Sequence, residues 1–438
     1  MTSVDSFGHL DDTFLRRLDQ QLAEADRHLA ERYPGDAGTR QPVHTVYIPA
    51  DRLEHTTVAA WGAEARALFD EVTPDVDSAA EVTGLGASVT EDVHSRVRAK
   101  LGSQPVEDLR ADLEDGFGVR ADAEEDAAAV TAAEVLGPLL NGGDGPSFGG
   151  IRFKSLEPAT RRRGLRSLDL FIGALKAAGP LPEGLVLTLP KVTSVEQVSA
   201  MVSVCRHLEE AHHLPAGRLR FEIQVETPQA IIGADGTHLV AAMVHAAEGR
   251  VTGLHYGTYD YSAACGIAAE YQSMEHSAAD FAKAVMQVAA AGTGVRLSDG
   301  STNVIPTGSA DQARSAVRLH ARLVTRSLQR GYYQGWDMHP GHLVTRYLAT
   351  YAFYREGFDT AANRLHAYLS GREGSVMDEP ATAQALASFL SRGLHCGALD
   401  DAEAQTATGV SVATLQALAA RRPLPDDDVA AGSAPNHS

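Results

Sequence analysis

Between Val43 and Met338 the chain alternates short runs of β-type residues with longer stretches of helical periodicity, and it does so eight times. The strand-forming runs are Val43–Ile48, Leu109–Leu113, Ile151–Lys154, Leu185–Leu189, Leu219–Val225, Arg250–Tyr256, a weaker one near Thr302–Ile305, and Tyr333–Met338. Helical stretches lie between and after them, at Thr56–Phe69, Ser88–Leu101, Ala121–Leu140, Arg163–Ala178, Ser194–His212, Gly236–Ala247, Ala278–Ala290 and Ala310–Arg330. Eight βα repeats over roughly 300 residues is the count of a (β/α)8 TIM barrel. A doubly wound open sheet is the competing α/β arrangement. The first connection is long enough to hold an insertion with two helical segments, and Ser88 with Glu91 has the form of a capping box.

The flanks read differently. Phe14, Leu15, Leu18, Leu22 and Leu29 recur at helical spacing behind a capping Asp11 or Asp12, which predicts an N-terminal helix lying across the outside or bottom of the main domain. Residues 1–41 thus form an N-terminal helical segment, 42–345 the barrel, 346–422 a C-terminal helical extension, and 423–438 a tail rich in proline and aspartate that is expected to be disordered. In the extension, Leu386, Phe389, Leu390 and Leu394 repeat at helical spacing.

The 438 residues carry a net charge of −19, which argues against nucleic acid or an anionic membrane as partner, because both require a basic footprint. No apolar run approaches the roughly 20 residues that span a bilayer. Three scattered cysteines give neither a disulfide framework nor a CxxC metal site, and the opening MTSVDSFGHLDD lacks the features of a signal peptide. A cytoplasmic protein is expected.

In a parallel barrel the chemistry collects at the carboxyl ends of the strands. The second strand ends in Asp112-Leu113-Glu114-Asp115-Gly116, the third carries Arg152 and Lys154, and the fourth ends in Pro190-Lys191. The fifth runs into Glu226-Thr227-Pro228, the sixth into Gly257-Thr258-Tyr259-Asp260, and the eighth into Trp336-Asp337-Met338-His339-Pro340. A ring of carboxylates facing a few cations suits a hard divalent ion, and Mg2+ usually takes one or two protein carboxylates and leaves its other positions to water and substrate. Glu226 and Asp260, on adjacent strands, could supply that pair, with Asp112, Glu114 and Asp115 around them. A 2-oxo acid would chelate the ion, which would stabilise an enolate, and Arg152 could grip the substrate carboxylate with its planar fork.

Plain structural readings stand beside these. A Glu or Asp at a strand end is often a helix cap or a salt-bridge partner. Asp112–Asp115 could cap the next helix, and Arg152 and Lys154 could pair with those carboxylates. Arg161–Arg163 reads as a solvated helix start, and Asn141–Gly150 as a plain loop without a phosphate-binding pattern. His212-His213 lacks zinc-ligand spacing, and Cys265 is expected to be a buried structural thiol.

Taken in order, the strand-end motifs resemble the HpcH/HpaI aldolase and citrate lyase β-subunit superfamily, with a secondary similarity to malate synthase. VHTVYIPA (43–50) looks like its opening strand, DLEDG (112–116) like its acidic segment, and Ile151-Arg152-Phe153 like the strand with its substrate-binding arginine. LPKV (189–192), Val225-Glu226-Thr227, GLHYGTYD (253–260) and WDMHPG (336–341) follow in the same order, the GxxDY ending being closer to malate synthase. The similarity spans residues 42–345 and departs at Lys154, where the family has asparagine.

The resemblance implies a (β/α)8 barrel holding Mg2+, or Mn2+ in its place, at Glu226 and Asp260, with Arg152, Glu114 and Asp115 as catalytic residues. It implies a carbon–carbon lyase or aldolase, or the reverse condensation, on a small hydroxy acid or its coenzyme A thioester, in a homo-oligomer, commonly a trimer or hexamer. Relatives that condense use an aspartate from a C-terminal lid as base, and here Asp400 and Asp401 lie in the extension. An acyl-CoA thioester hydrolase on the same metal site and a catalytically silent barrel subunit are the alternatives.

Overall fold

The structure, a computed structural model, describes residues 10–84, 87–143, 145–371 and 379–424, apart from the side chains of residues 87–89. Eight parallel strands make one sheet that curls on itself. They are β1 (His44–Pro49), β2 (Asp108–Asp112), β3 (Phe148–Arg152), β4 (Leu185–Leu189), β5 (Phe221–Val225), β6 (Val251–Tyr256), β7 (Arg296–Ser298) and β8 (Gly335–Trp336). Consecutive strands pair from β1 to β7, and β8 returns to β1 through His44↔Gly335 and Thr45↔Trp336. The last seam closes on a single bridge, Ser298↔Gln334. There the Asp299 N–H donates to the Gln334 carbonyl at 2.8 Å and the Trp336 N–H to the Gly300 carbonyl at 3.2 Å. The expected (β/α)8 barrel is the observed fold.

The helices form the outer ring. α1 (Asp12–Arg32) precedes the barrel, and α2 (Thr57–Val72), α3 (Val76–Thr83) and α4 (Ala87–Ser103) fill the β1–β2 connection. That insertion therefore holds three helices where two were expected. The capping side chain proposed there, Ser88, lies outside the described residues. Next come α5 (Asp122–Asn141), α6 (Arg161–Ala178) and α7 (Val195–Ala211), and then the short α8 (Pro228–Ile231) with α9 (Leu239–Ala246). α10 (Thr258–Ala264), α11 (Ser277–Ala290) and α12 (Ala310–Gln329) lead to β8. α13 (Pro340–Leu369) closes the last βα unit and runs on for 30 residues, with proline at its first position and His339 accepting the Gly341 N–H at 3.0 Å.

Because helices cover the sheet, whole strands are buried on both faces; all five residues of β4, LVLTL, are buried. One apolar core runs from β1 through α13. A second joins the far end of α13 to α14 (Pro380–Cys396), α15 (Asp401–Thr408) and α16 (Val412–Ala419), around Phe358, Leu365, Leu390, Leu399 and Leu415.

Two expectations are corrected. The seventh strand is Arg296–Ser298, not the run near Thr302–Ile305, which follows the strand and leaves Val304 and Ile305 exposed. Its β-branched residues carry strand propensity, but the register to β6 (Leu254↔Leu297, His255↔Ser298) is already used by the earlier triplet. The N-terminal helix forms as expected, with the Asp11 carboxylate accepting the Phe14 N–H at 2.7 Å. It does not pack along the domain. None of its residues is buried; just beyond it Tyr33 meets the His245 ring edge-on and the Gly35 N–H donates to the Gly292 carbonyl.

Candidate metal centre at the barrel mouth

The carboxyl ends of β2 to β6 bring the expected residues into one network. Glu226 follows β5 and is buried. Its Oε1 accepts the Lys191 backbone N–H at 2.7 Å, and among the described residues it makes no ion pair. Burial, and after it the Asp260 carboxylate, push its pKa up to about 8. Asp260 sits in the first turn of α10, nearly half exposed, 3.5 Å from the Lys191 ammonium. The β6–α10 corner can reach Glu226 only because residue 257 is glycine, since a Cβ there would stand 2.3 Å from the Glu226 Cβ.

Lys191 is the hub that the sequence reading passed over. It follows β4 in the left-handed region, at φ 50°, so its amide and its side chain serve different partners. Its ammonium donates to Glu114 Oε1 at 2.5 Å and to Asp115 Oδ2 at 2.7 Å, besides facing Asp260. Burial works against that charge, but the bonds to Asp115 and Glu114 outweigh it and hold the amine above its ordinary value. Glu114 is pushed up to about 7, chiefly by burial. Asp115 is held below its ordinary value, because hydrogen bonds involving Glu114 and Lys191 outweigh its own burial. The signal in the sequence was there: a lysine directly at a strand end, in LPKV.

Arg152 is buried on β3 and its fork is already engaged. Nε donates to Asp112 Oδ1 at 2.7 Å and Nη2 to Asp112 Oδ2 at 2.6 Å. The remaining Nη1 points to Glu114, 3.7 Å away, and the guanidinium lies over the rings of Tyr47 and Trp336 at 4.7 and 5.2 Å. The two-pronged grip on a substrate carboxylate is therefore spent on Asp112, and one nitrogen is left for a ligand. Asp112 also accepts the Glu114 and Gly116 N–H groups, at 3.0 and 2.9 Å, and so shapes the turn that carries Glu114.

Other candidates fall elsewhere. Lys154 donates to Glu125 at 2.7 Å and to the Leu113 carbonyl at 2.8 Å, pinning the β2 turn to α5. Asp400 caps α15 and accepts from Arg96 of α4 at 2.8 Å, as a structural ion pair. Cys265, expected to be buried, is exposed, because α10 ends there after only seven residues.

A family model described as a domain of unknown function, DUF6986, matches residues 22–423. The chain belongs to the DUF6986 family. No curated protein matches it. Among solved structures, this DUF6986 chain is similar to the CitE protein of Mycobacterium tuberculosis in complex with magnesium, acetoacetate and coenzyme A, at 17% identity over 82% of this chain and 99% of that one, with TM-score 0.46. It is also similar to Haloferax volcanii malate synthase, at 17% identity over 71% and 76% of the two chains, with TM-score 0.45.

Within this DUF6986 member, three possible metal ligands come within 4.8 Å of one another at His320, Asp337 and His342, among the described residues. Asp337 and His342 already have partners, and His320 bonds Thr345 through Nδ1 while its Nε2 stands 3.4 Å from Asp337. Asp337 accepts from Arg346 at 2.8 Å and lies 3.5 Å from His44, while His342 accepts the Met338 N–H at 3.3 Å and faces the Val304 carbonyl at 3.0 Å. This trio is an ion-pair hub locking β8 to β1 and α13. No described helix is long and apolar enough to cross a membrane.

Proposed function

We propose that the chain is a Mg2+-dependent carbon–carbon lyase or condensing enzyme, acting on a small hydroxy acid or its coenzyme A thioester. The observation that carries this reading is Glu226. Its neighbours Asp112, Glu114, Asp115 and Asp260 each face Arg152 or Lys191, whereas among the described residues Glu226 is buried with one backbone N–H on it and no ion pair. A buried carboxylate without a counter-charge is costly, and a hard cation shared with Asp260 removes the cost.

Glu226 and Asp260 would hold the ion, which when bound polarises a carbonyl oxygen and lowers the cost of negative charge developing there. The Arg152 Nη1, 3.7 Å from Glu114, and the Lys191 ammonium orient an anionic substrate, and the Tyr47 and Trp336 rings fix the plane of the guanidinium. Glu114, with its pKa near 7, exchanges a proton readily at neutral pH and is the group to accept the hydroxyl proton as the bond opens. Its position against Lys191 and Arg152 returns it to the carboxylate form once the proton leaves.

Titration calorimetry of the full chain with Mg2+, in the presence of a panel of 2-oxo acids, tests the reading. Binding is expected in the native protein, with at least a tenfold loss in Glu226→Gln and Asp260→Asn while the thermal midpoint stays within a few degrees. If the native chain binds no Mg2+, or both variants bind it as well as the native chain, the network is a structural one and the assignment fails.

A further inference from the structure

The opposite face of the barrel holds a cavity of about 870 Å3. At its inner end Arg110 donates to Asp108 at 2.6 Å and to Glu222 at 3.0 Å, so the cation there is taken by carboxylates. The outer wall differs. Arg32, at the end of α1, Arg220, just before β5, Arg296 on β7, and Arg421 and Arg422, just past α16, all line it. Among the described residues, none of these five makes an ion pair with a carboxylate. Arg296 donates to the Arg40 and Thr39 carbonyls, Arg421 to Gln384 and Arg422 to the Ala37 carbonyl, all neutral acceptors. The wall carboxylates have other cations: Asp36 is held by Arg392, Glu31 by Arg27 and Glu248 by Arg206, and among the described residues Glu183 makes no ion pair.

Among the described residues, these five guanidinium groups line one cavity without a carboxylate partner, in a chain of net charge −19. They arrive from four separate parts of the sequence, two of them the segments that flank the barrel, so the cavity exists only where both flanks meet the barrel floor. Guanidinium forks match the oxygen geometry of phosphate, and the volume is that of a small-molecule site. A multiply charged anion lying among guanidinium groups on one cavity wall would offset their mutual repulsion. Burial keeps Arg296 below its ordinary pKa and outweighs the opposing pull of the Asp36 carboxylate.

We propose that the N-terminal face of the barrel binds a small phosphorylated compound carrying at least two negative charges, at a site separate from the mouth and independent of what the mouth catalyses.

The test uses the full chain in EDTA, which removes any contribution from a metal at the mouth, with inorganic pyrophosphate as probe. Pyrophosphate is expected to raise the thermal midpoint and to bind by calorimetry, more weakly as salt is raised. Among the described residues Arg32 and Arg220 bond no other side chain, so Arg32→Ala/Arg220→Ala should keep the unliganded midpoint while weakening pyrophosphate binding at least tenfold. Absence of binding, equal affinity in the double variant, or binding of the tricarboxylate tricarballylate with none of pyrophosphate overturns the proposal.

Discussion

At the scale of single residues, the mouth depends on how closely two backbones approach. Gly257 lets the β6–α10 corner lie against Glu226, whose Oε2 would stand 2.7 Å from an added Cβ. That contact is to a buried carboxylate and its Cβ, which have little room to yield. Gly257→Ala is therefore expected to displace Glu226, costing about 1–3 kcal/mol of stability as an overpacked site does. Mg2+ affinity should fall at least tenfold, and calorimetry beside a urea melt measures the two effects separately. Affinity equal to the native value would show that the corner has slack. By contrast, the exposed Asp260 has room to adjust, so its conservative replacement acts on the charge alone.

At the scale of elements, the join between the barrel and its inserted helices is held by a buried carboxylate. Glu107, just before β2, pairs with Arg40 at 2.8 Å and Lys100 of α4 at 2.7 Å, and accepts the Val43 N–H at 3.0 Å. Burial alone would raise its pKa, but Lys100 and Arg40 prevail and hold it down at about 2. Removing one side of such a pair strands the cations in the interior, so Glu107→Gln is expected to cost about 3 kcal/mol. A urea denaturation series reads this directly; a loss under 1 kcal/mol would mean that water reaches the site. A different element, β7, shows why strand propensity alone misplaces the seventh strand. β7 is only three residues long, and the β-branched residues after it outscore it in propensity, yet pairing with β6 leaves them no place in the sheet.

For the molecule as a whole, the carboxylates of the mouth set how stability responds to pH. Glu226 binds its proton more tightly in the folded chain, at about 8, than an ordinary carboxylate does at 4.5. The stability it contributes is thus fully present below about 4.5 and is lost as pH rises through 8. Glu114, raised to about 7, acts in the same direction over a narrower range. In EDTA the thermal midpoint is therefore expected to fall between pH 5 and 8.5, and Glu226→Gln should flatten that slope. A slope unchanged in the variant would place its origin elsewhere.

The sequence by itself determined the eightfold alternation, the order of the strands, and which acidic and basic residues stand at strand ends, because burial on both faces and the βα period write themselves into local composition. It also carried the Asp11 cap and the helical spacing of the C-terminal extension. Tertiary structure alone decided which partners those residues take. Arg152 spends its fork on Asp112, forty residues away, and Lys191 gathers carboxylates from β2 and β6, pairings that depend on closure of the barrel and leave no local trace. It also decided that α1 stands off the domain, and that arginines from both ends of the chain share one cavity, since contacts between distant segments are set by three-dimensional packing and not by the periodicity of either segment.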